Sequence, residues 1–337
     1  MSASTKKKII IFFADVAKWA RCPKSASQNG PKKKLFFFRK VRREVRVRAL
    51  LIGLPLLRSL PHRFALSVGA ALGTLAWYLA PRQRRLALEH LAIAFPEMNA
   101  AWRRSVGRRS FANLGRSALE TALAQRLQPE LARVVQLAPE DEALLRAAHA
   151  EGKGVIVVSC HVGNWELFAR RIAAVGLPSA TVAKEAQDPR LTALLEETRA
   201  GAGVRVFWRG QGFAARDMLR FVRRGGLLGI LIDQDTRVAG HFVPFFGRPA
   251  FTPRAAGDLA ARLEAPMVFG CAHRVGPGLH RIVLHRIDVG RSGDREHDSL
   301  ALTDAATKAI EEEVRARPDE WVWMHPRWRT RPPNVDA

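Results

Sequence analysis

The sequence predicts an α/β fold in which helices flank a central, mostly parallel or mixed sheet. Two observations lead to this fold class. From residue 154 onward, short β-branched runs alternate with segments of helical periodicity. Hydrophobic residues make up 47% of the 337 positions, which is enough for a large buried core. Such βαβ alternation is typical of a sheet covered by helices.

The elements can be placed in order along the chain. Apolar residues at helical spacing predict amphipathic helices between residues 95 and 126. The strands are then expected at residues 154–159, 179–183, 204–208, 227–232, 266–272 and 281–289. The helices between them are expected at residues 164–174, 189–200, 213–223 and 254–263, the first of them capped by Asn164.

The amino-terminal part differs from this body. Residues 1–48 contain 15 Lys and Arg against two acidic residues, which predicts a basic extension suited to an anionic membrane surface. Residues 49–94 are predicted to form an apolar, membrane-associated helical region. Residues 64–80 carry no charge and have a small-residue face at Gly69 and Gly73. Residues 95–333 are then expected to form an α/β catalytic domain.

Several function classes are excluded or weakened by what the sequence lacks. The three cysteines are far apart and form no CxxC pair, so we expect neither a zinc site nor a redox motif. No G-x-S-x-G elbow, H-E-x-x-H motif, P-loop or G-x-G-x-x-G motif is present. Serine hydrolase, zincin, nucleotide hydrolase and dinucleotide-binding hypotheses therefore lose their main support, and no bound metal is expected.

Charged residues follow the predicted strands at the edge where ligands bind in such sheets. His161 follows the first strand, Lys184 the second and Arg209 the third. Asp233 and Asp235 follow the fourth strand. We therefore expect a base, two cations and two carboxylates to face one crevice.

The segment from His161 to Glu166 contains a His-x4-Glu pair at a predicted junction between strand and helix. Glu166 would lie in the first helical turn, near the positive end of the helix dipole. From there it could accept a hydrogen bond from His161, while the other ring nitrogen takes a proton from a substrate hydroxyl. Cys160 is a poor nucleophile for this base, because successive residues leaving a strand point to opposite sides, and it is expected to be buried.

These residues belong to five ordered segments that resemble the late acyltransferases of lipid A biosynthesis. The segments are Phe-Pro-Glu at 95–97, HVGNWE at 161–166, Asp-Gln-Asp at 233–235, HFVPFFGRP at 241–249 and WMHPRWRTR at 323–331. The resemblance covers about residues 49–333. The His-x4-acid pair alone would indicate only the wider glycerolipid acyltransferase superfamily.

The resemblance implies transfer of a fatty acyl chain from acyl carrier protein, or from coenzyme A, to a hydroxyl of a phosphorylated glucosamine lipid. His161 would be the base and Glu166 its orienting partner, and Arg199 and Asp233 or Asp235 would be functional. The acyl thioester is a co-substrate, so no cofactor is expected. The implied location is the cytoplasmic face of the inner membrane.

The chemistry of acyl transfer adds candidates for substrate binding. Backbone amides at the helix start near Asn164 could stabilise an oxyanion. Three arginines are candidates for a phosphate group, namely Arg199, Arg209 and Arg254. A basic surface also suits two acidic partners, the carrier protein and a phosphorylated lipid.

Two alternatives stay open at this level. The same chemistry could use another acceptor, such as a lysophospholipid, an aminoacyl lipid or a phosphatidylinositol mannoside. The second alternative is a basic module that binds nucleic acid without catalysis. In it, Trp321, Trp323 and Trp328 would stack on bases beside Arg327, Arg329 and Arg331. No recognised nucleic-acid motif surrounds these residues, so we expect a lipid-facing or core position for them and no nucleic-acid partner.

Overall fold

The structure is a computed structural model that describes residues 44, 45, 47, 48, 51–210 and 214–333. The predicted basic extension, residues 1–48, thus lies outside the described residues at all but four positions. The chain divides into two units, Met1–Ile52 and Gly53–Ala337, and every element numbered below belongs to the second. The predicted boundary between residues 94 and 95 stays a prediction.

Three helices begin this unit after a helical segment at residues 51–59. They are α1 (His62–Leu79), α2 (Pro81–Ala94) and α3 (Ala100–Leu127). The predicted small-residue face of α1 packs against α3. A Cβ on Gly73 would lie only 2.0 Å from the carbonyl oxygen of Phe111, so glycine is required for this close approach. Among the described residues, α1 and α2 pass the length and hydropathy test for a membrane span only as a pair, and the pair is bent by 93°.

Among the residues that the structure describes, the central sheet has seven strands. After α4 (Leu131–Val134), the strands are β1 (Val135–Gln136), β2 (Val155–Ser159), β3 (Ser179–Ala183), β4 (Val204–Trp208), β5 (Leu227–Leu231), β8 (Met267–Gly276) and β9 (Leu279–Ile287). Their order is β1-β9-β8-β2-β5-β3-β4. Neighbouring strands are parallel except for the β8–β9 pair. The predicted α/β class and mostly parallel sheet are confirmed.

Helices cover this sheet. They are α5 (Pro139–Ala150), α6 (Trp165–Ala173), α7 (Pro189–Ala200), α8 (Ala214–Arg223), α9 (Ala255–Leu263) and α10 (Arg295–Ala316). The central strand β2 is buried along its whole length. Ile156 and Val158 belong to the core that contains α9 and α10, whereas Val155 and Val157 belong to the core that contains α5 and α6. A strand buried on both faces explains the continuous apolar run in the sequence.

Several parts of the fold do not follow from the alternation, including α4, β1 and α5, which precede it. A separate antiparallel hairpin pairs β6 (Gly240–Phe245) with β7 (Arg248–Pro253). Prolines at positions 244, 249 and 253 interrupt any strand period in this segment, so periodicity could not predict it. The long helix α10 was also not predicted. It packs against α9, and one of its faces is buried in the main core.

Candidate active site

His161 lies in the loop that joins β2 to α6, at the carboxyl edge of the sheet. Alternation along the chain puts Val157, Ser159 and His161 on the side of the sheet that carries α6. Cys160 points the other way and is fully buried, as predicted. Burial raises the pKa of the Cys160 thiol, and contact with Cys271 adds to this rise. The thiol therefore lacks the thiolate character that a nucleophile needs.

Asp233, in the loop after β5, is the partner of His161. Its Oδ1 lies 2.8 Å from the Nδ1 of His161. Its Oδ2 accepts hydrogen bonds from the backbone N–H of His161 and from the indole Nε1 of Trp321, both at 2.8 Å. The carboxylate is almost completely buried, whereas the His161 side chain is 19% exposed. The imidazole is therefore fixed at one ring nitrogen and accessible from the cavity beside it.

The pKa of Asp233 reflects this environment. Burial by itself would raise the pKa, but the charge of His161 and the three hydrogen bonds outweigh burial and lower the pKa to about 2. Asp233 is therefore ionised at neutral pH. An ionised carboxylate on Nδ1 holds the proton there, which leaves Nε2 as the acceptor nitrogen.

Glu166 does not make the contact that the sequence suggested. It lies in the first turn of α6, as predicted, but its two carboxylate oxygens bind Arg199 at 2.5 and 3.0 Å. The hydrogen bond expected from His161 goes to Asp233 instead. The reason is geometric: the loop after β5 lies beside the loop after β2, because β2 and β5 are parallel neighbours.

The closing segment, residues 321–331, fixes the loop after β5. Trp321 binds Asp233, and Arg329 and Thr330 both bind the carboxylate of Asp235. The Asp235 side chain is 1% exposed. Asp235 was predicted to contact substrate, but its described bonds are to this closing segment.

Asn164 has a similar internal role. Its Oδ1 accepts from the backbone N–H of Leu167 and so caps α6, and its Nδ2 donates to Glu120 at 3.0 Å. Glu120 is itself buried and binds Arg274 through both oxygens. Burial opposes ionisation of Glu120, but hydrogen bonds from His280 and Arg274, together with the nearby His62, bring its pKa well below the usual value. The start of α6 is thus attached to a buried charge cluster.

A cavity of about 330 Å³ opens beside His161. It extends along β3 and β5, whose five residues each span about 17 Å at about 3.3 Å per residue, and it also meets Val204 of β4. Its wall is largely apolar and includes Val157, Phe168, Ile172, Val204, Leu227 and Leu231. An elongated apolar cavity beside a base suits a chain-like apolar ligand.

Polar groups concentrate at the end of the cavity near His161. Glu166 lines it, together with Lys184, Arg199 and Arg209, which are three of the residues predicted to bind substrate. Within the described part of the chain, the buried Nη1 of Arg199 has no hydrogen-bond partner. The Arg254 guanidinium was a third phosphate candidate, but it pairs with Asp258 and Glu296, each at 2.9 Å, and does not line the cavity.

One group of side chains has the composition of a metal site. Ligand atoms of Cys271, His273 and Glu313 lie within 4.8 Å of one another, away from the cavity lining. Burial lowers the pKa of His273 to about 4, and the nearby charges of Arg317 and Arg281 add to this effect. The same positive charges oppose a cation. The absence of a metal and of a cofactor stays a prediction.

Three of the six residues that the nucleic-acid alternative requires at the surface are buried. Trp321, Trp323 and Arg327 are each at most 2% exposed, so they cannot stack on bases or bind phosphates. The Arg327 guanidinium binds Phe251 and Thr252 in the hairpin strand β7. The aromatic residues of the closing segment thus belong to the core.

Comparison with known proteins identifies the family. The model of the bacterial lipid A biosynthesis acyltransferase family matches residues 37–330. The chain belongs to this family. It is therefore an acyltransferase, and the family implies an acyl donor and a lipid acceptor as its substrates. The resemblance inferred from the five sequence segments is confirmed.

Individual relatives are distant. The chain is 24% identical to the lipid A biosynthesis lauroyltransferase of Escherichia coli (strain K12), over 82% of this chain and 89% of the relative. It is also 24% identical to the palmitoleoyltransferase of the same organism, over 81% and 87%. A phosphatidylinositol mannoside acyltransferase of Mycobacterium tuberculosis is 24% identical over 55% of this chain and 57% of the relative. Acyltransferases with more than one kind of acceptor are thus among the similar proteins.

The low pKa of Asp233 predicts a pH dependence of stability. Its folded pKa of about 2 lies below the ordinary value of 3.8, so its ionisation stabilises the fold above about pH 4. This contribution, about 2 kcal/mol, is lost as the pH falls through about 2. We expect the difference in free energy of unfolding between wild type and Asp233→Asn to shrink by this amount on acidification. Urea unfolding followed by tryptophan fluorescence measures it.

The control is Asp288→Asn, because the carboxylate of Asp288 is 74% exposed. The difference in free energy of unfolding between Asp288→Asn and wild type should change much less over the same pH range. A stability difference for Asp233→Asn that is independent of pH would contradict the buried, ionised carboxylate.

Proposed function

We propose that this acyltransferase moves a fatty acyl group from a thioester of acyl carrier protein, or of coenzyme A, to a hydroxyl of a lipid A precursor. The observation that carries the proposal is the position of His161. Its imidazole is held by Asp233 and lines the polar end of an elongated apolar cavity. A hydroxyl at Nε2 and an acyl chain in the cavity would bring the two reacting groups together.

The proton path follows from this geometry. The Nε2 of His161 takes the proton of the acceptor hydroxyl as its oxygen attacks the thioester carbonyl carbon. Asp233 stabilises the imidazolium that forms. When the carbon–sulfur bond breaks, the imidazolium returns the proton to the leaving thiolate. The reaction therefore needs no covalent acyl-enzyme.

The oxyanion of the tetrahedral intermediate needs hydrogen-bond donors. At the start of α6, the N–H of Gly163 binds the Glu320 carbonyl and the N–H of Asn164 binds the Ala272 carbonyl. The N–H groups of Trp165 and Glu166 occupy the first two positions of the helix, where no intrahelical partner exists. Both residues line the cavity. We assign the amides of Trp165 and Glu166 to the oxyanion, because those of Gly163 and Asn164 are already bonded.

Arg199 is the strongest candidate for an anionic group of the substrate. Glu166 binds one side of its guanidinium, while Nη1 is buried without a partner among the described residues. A buried N–H without a partner is costly, so a phosphate or carbonyl oxygen from the substrate would complete it. Glu166 is then a positioning residue that acts through Arg199. Lys184 and Arg209 add positive charge at the same end of the cavity.

A second candidate function keeps this chemistry and changes the acceptor. The Mycobacterium tuberculosis relative is named as a phosphatidylinositol mannoside acyltransferase, so a different lipid acceptor is compatible with a related chain. The cavity geometry bears on the acyl chain and does not identify the acceptor. The lipid A precursor is preferred because the matched family model and the relatives that cover most of the chain carry that name.

We further propose that the enzyme works at the cytoplasmic face of the inner membrane. The side of α1 opposite Gly69 and Gly73 is apolar and at least 50% exposed at each of five residues, which are Phe64, Leu72, Leu75, Tyr78 and Leu79. An apolar helix face of this kind suits the interface of a bilayer. Exposed Arg82 and Arg85 follow it at the start of α2, where they would meet anionic headgroups.

The first prediction concerns the base. Detergent-extracted protein is supplied with acyl carrier or coenzyme A thioesters and a lipid A precursor, and the product is scored by mass. His161→Ala should abolish product, and Asp233→Asn should lower the rate by about 10²-fold to 10⁴-fold, because the imidazolium loses its partner. Cys160→Ala is the matched control and should retain most of the activity. An active His161→Ala variant would refute the mechanism.

The same assay with a lysophospholipid or a phosphatidylinositol mannoside as acceptor distinguishes the two candidate functions. Product from the lipid A precursor alone supports the first. Product from another acceptor alone supports the second.

The second prediction concerns Glu166 and Arg199. If Glu166 acts through Arg199, then Glu166→Gln and Arg199→Gln should each lower kcat/KM, by about ten-fold or more, and the double variant should lose little more than the worse single variant. Arg199→Lys should restore part of the activity, because it keeps the charge but loses the two-pronged contact. Equal melting temperatures of the variants and the wild type would exclude unfolding as the cause of the lower kcat/KM. Losses that simply multiply would show that the two residues act separately.

The third prediction tests the membrane surface. The double variant Leu72→Ser/Leu75→Ser should bind phosphatidylglycerol vesicles about ten-fold or more weakly, because two apolar side chains no longer enter the interface. Sedimentation at high salt measures this partition while electrostatic attraction is screened. The control Leu72→Met/Leu75→Met keeps the apolar character and should bind like the wild type. Unchanged binding of the serine variant would exclude this face.

A further inference from the structure

A glycine occupies the middle of the cavity wall. Gly229 is the central residue of β5, and the cavity is lined by it and by its alternate neighbours Leu227 and Leu231. It pairs with Val157 of β2 on one side and with Thr181 of β3 on the other. These three residues form a row across the strands, and all of them line the cavity. His161 is four residues beyond Val157, about 13 Å away at about 3.3 Å per residue.

The surroundings of Gly229 would admit a side chain. The nearest atoms to a Cβ built there are the Ala180 carbonyl oxygen at 3.4 Å and two Thr181 atoms at 3.8 and 4.0 Å, which are ordinary contacts. These atoms belong to the neighbouring strand and none belongs to α6. Gly270 in β8 is different, because its Cβ would lie 2.4 Å from Leu284 and 2.9 Å from Phe168. Gly270 is therefore needed for packing, whereas Gly229 is not.

Backbone conformation does not require glycine at this position either. Gly229 is absent from the glycines with positive φ, so an L-residue fits its backbone without strain. A glycine inside a strand weakens it and commonly marks close approach of a ligand or of another backbone. The nearest backbone is at ordinary contact distance, which leaves the ligand as the explanation.

We propose that Gly229 sets the length of the acyl chain that this enzyme accepts. The inference rests on the proposed function, in which the donor's acyl chain lies in the cavity with its carbonyl carbon beside His161. A chain that extends past Ser159 must then cross the Gly229 row before it reaches Leu227 and Ile172. Any side chain at position 229 would project into that path and stop longer chains there.

The donor chain is the occupant that the geometry favours. The wall of the cavity is mostly apolar at depth and its charged residues lie near His161, which matches an acyl chain that is anchored at its reactive carbonyl. The acceptor contributes a hydroxyl that must reach the same base from outside the cavity. The acyl chains of the acceptor would therefore lie outside the cavity. The preference of the enzyme for the length of those chains should not depend on position 229.

The test compares wild type with Gly229→Ala, Gly229→Val and Gly229→Leu. Each protein receives an equimolar mixture of octanoyl, decanoyl, lauroyl, myristoyl and palmitoyl thioesters with one acceptor, and the products are counted by mass. We expect the preferred chain to become shorter as the side chain grows. In Gly229→Leu the ratio of the longest to the shortest product should fall at least about ten-fold, since a few methylenes in an apolar pocket discriminate by that much.

Gly290→Leu is the matched control, because Gly290 is exposed, has no atom within 4 Å of a built Cβ and does not have a positive φ. It should keep the wild-type product pattern. An unchanged pattern across the Gly229 series, with active and folded proteins, overturns the inference. A series that changes the preferred acceptor chain and leaves the donor preference unchanged overturns it as well.

Failure of the proposed function gives a different result, namely no transfer by the wild type with any donor. In that case thermal unfolding with alkyl-coenzyme A thioethers of the same five lengths tests the cavity directly. Loss of the long-chain stabilisation in Gly229→Leu, but not in Gly290→Leu, supports the inference. Equal stabilisation of wild type and Gly229→Leu overturns it.

Discussion

The site depends on one buried carboxylate. Asp233 carries a negative charge that is almost fully removed from water, and such a charge is tolerated only when donors surround it. The imidazole and backbone of His161 supply two of those donors and the indole of Trp321 supplies the third. The loops after β2 and β5 and the closing segment of the chain are thereby held in one arrangement. Loss of any of the three would leave part of the charge without a partner.

A second buried carboxylate has a comparable role behind the site. Glu120 of α3 binds Arg274 of β8 and the side chain of Asn164, which caps α6. The position of Glu166 in the first turn of α6 therefore depends on a charge cluster on the far side of that helix. Glu166 in turn joins α6 to Arg199 at the end of α7. The two charge clusters thus hold two positions of the HVGNWE segment, one at His161 and one at Asn164.

The cavity shows how a mostly parallel sheet can hold a long apolar ligand. Helix α6 covers part of one face, and the strands beyond it leave a trough that ends at the carboxyl edge, where the charged residues lie. The trough needs small side chains along its path, and Gly229 is the smallest. Glycines in this chain thus have two different roles. Gly73 and Gly270 allow close packing, whereas Gly229 keeps space open for a ligand.

The sequence by itself determined most strands and helices of the α/β body, the edge of the sheet that carries the site and the opposite directions of Cys160 and His161. All three follow from local periodicity, because a strand alternates its faces and parallel strands end at the same edge. The sequence pointed to Glu166 as the partner of His161, whereas the structure pairs His161 with Asp233. That pairing depends on which strand lies beside β2 and on Trp321, which is 88 residues away from Asp233 along the chain. Periodicity carries no information about such distant contacts, so only the tertiary structure decided the pairing.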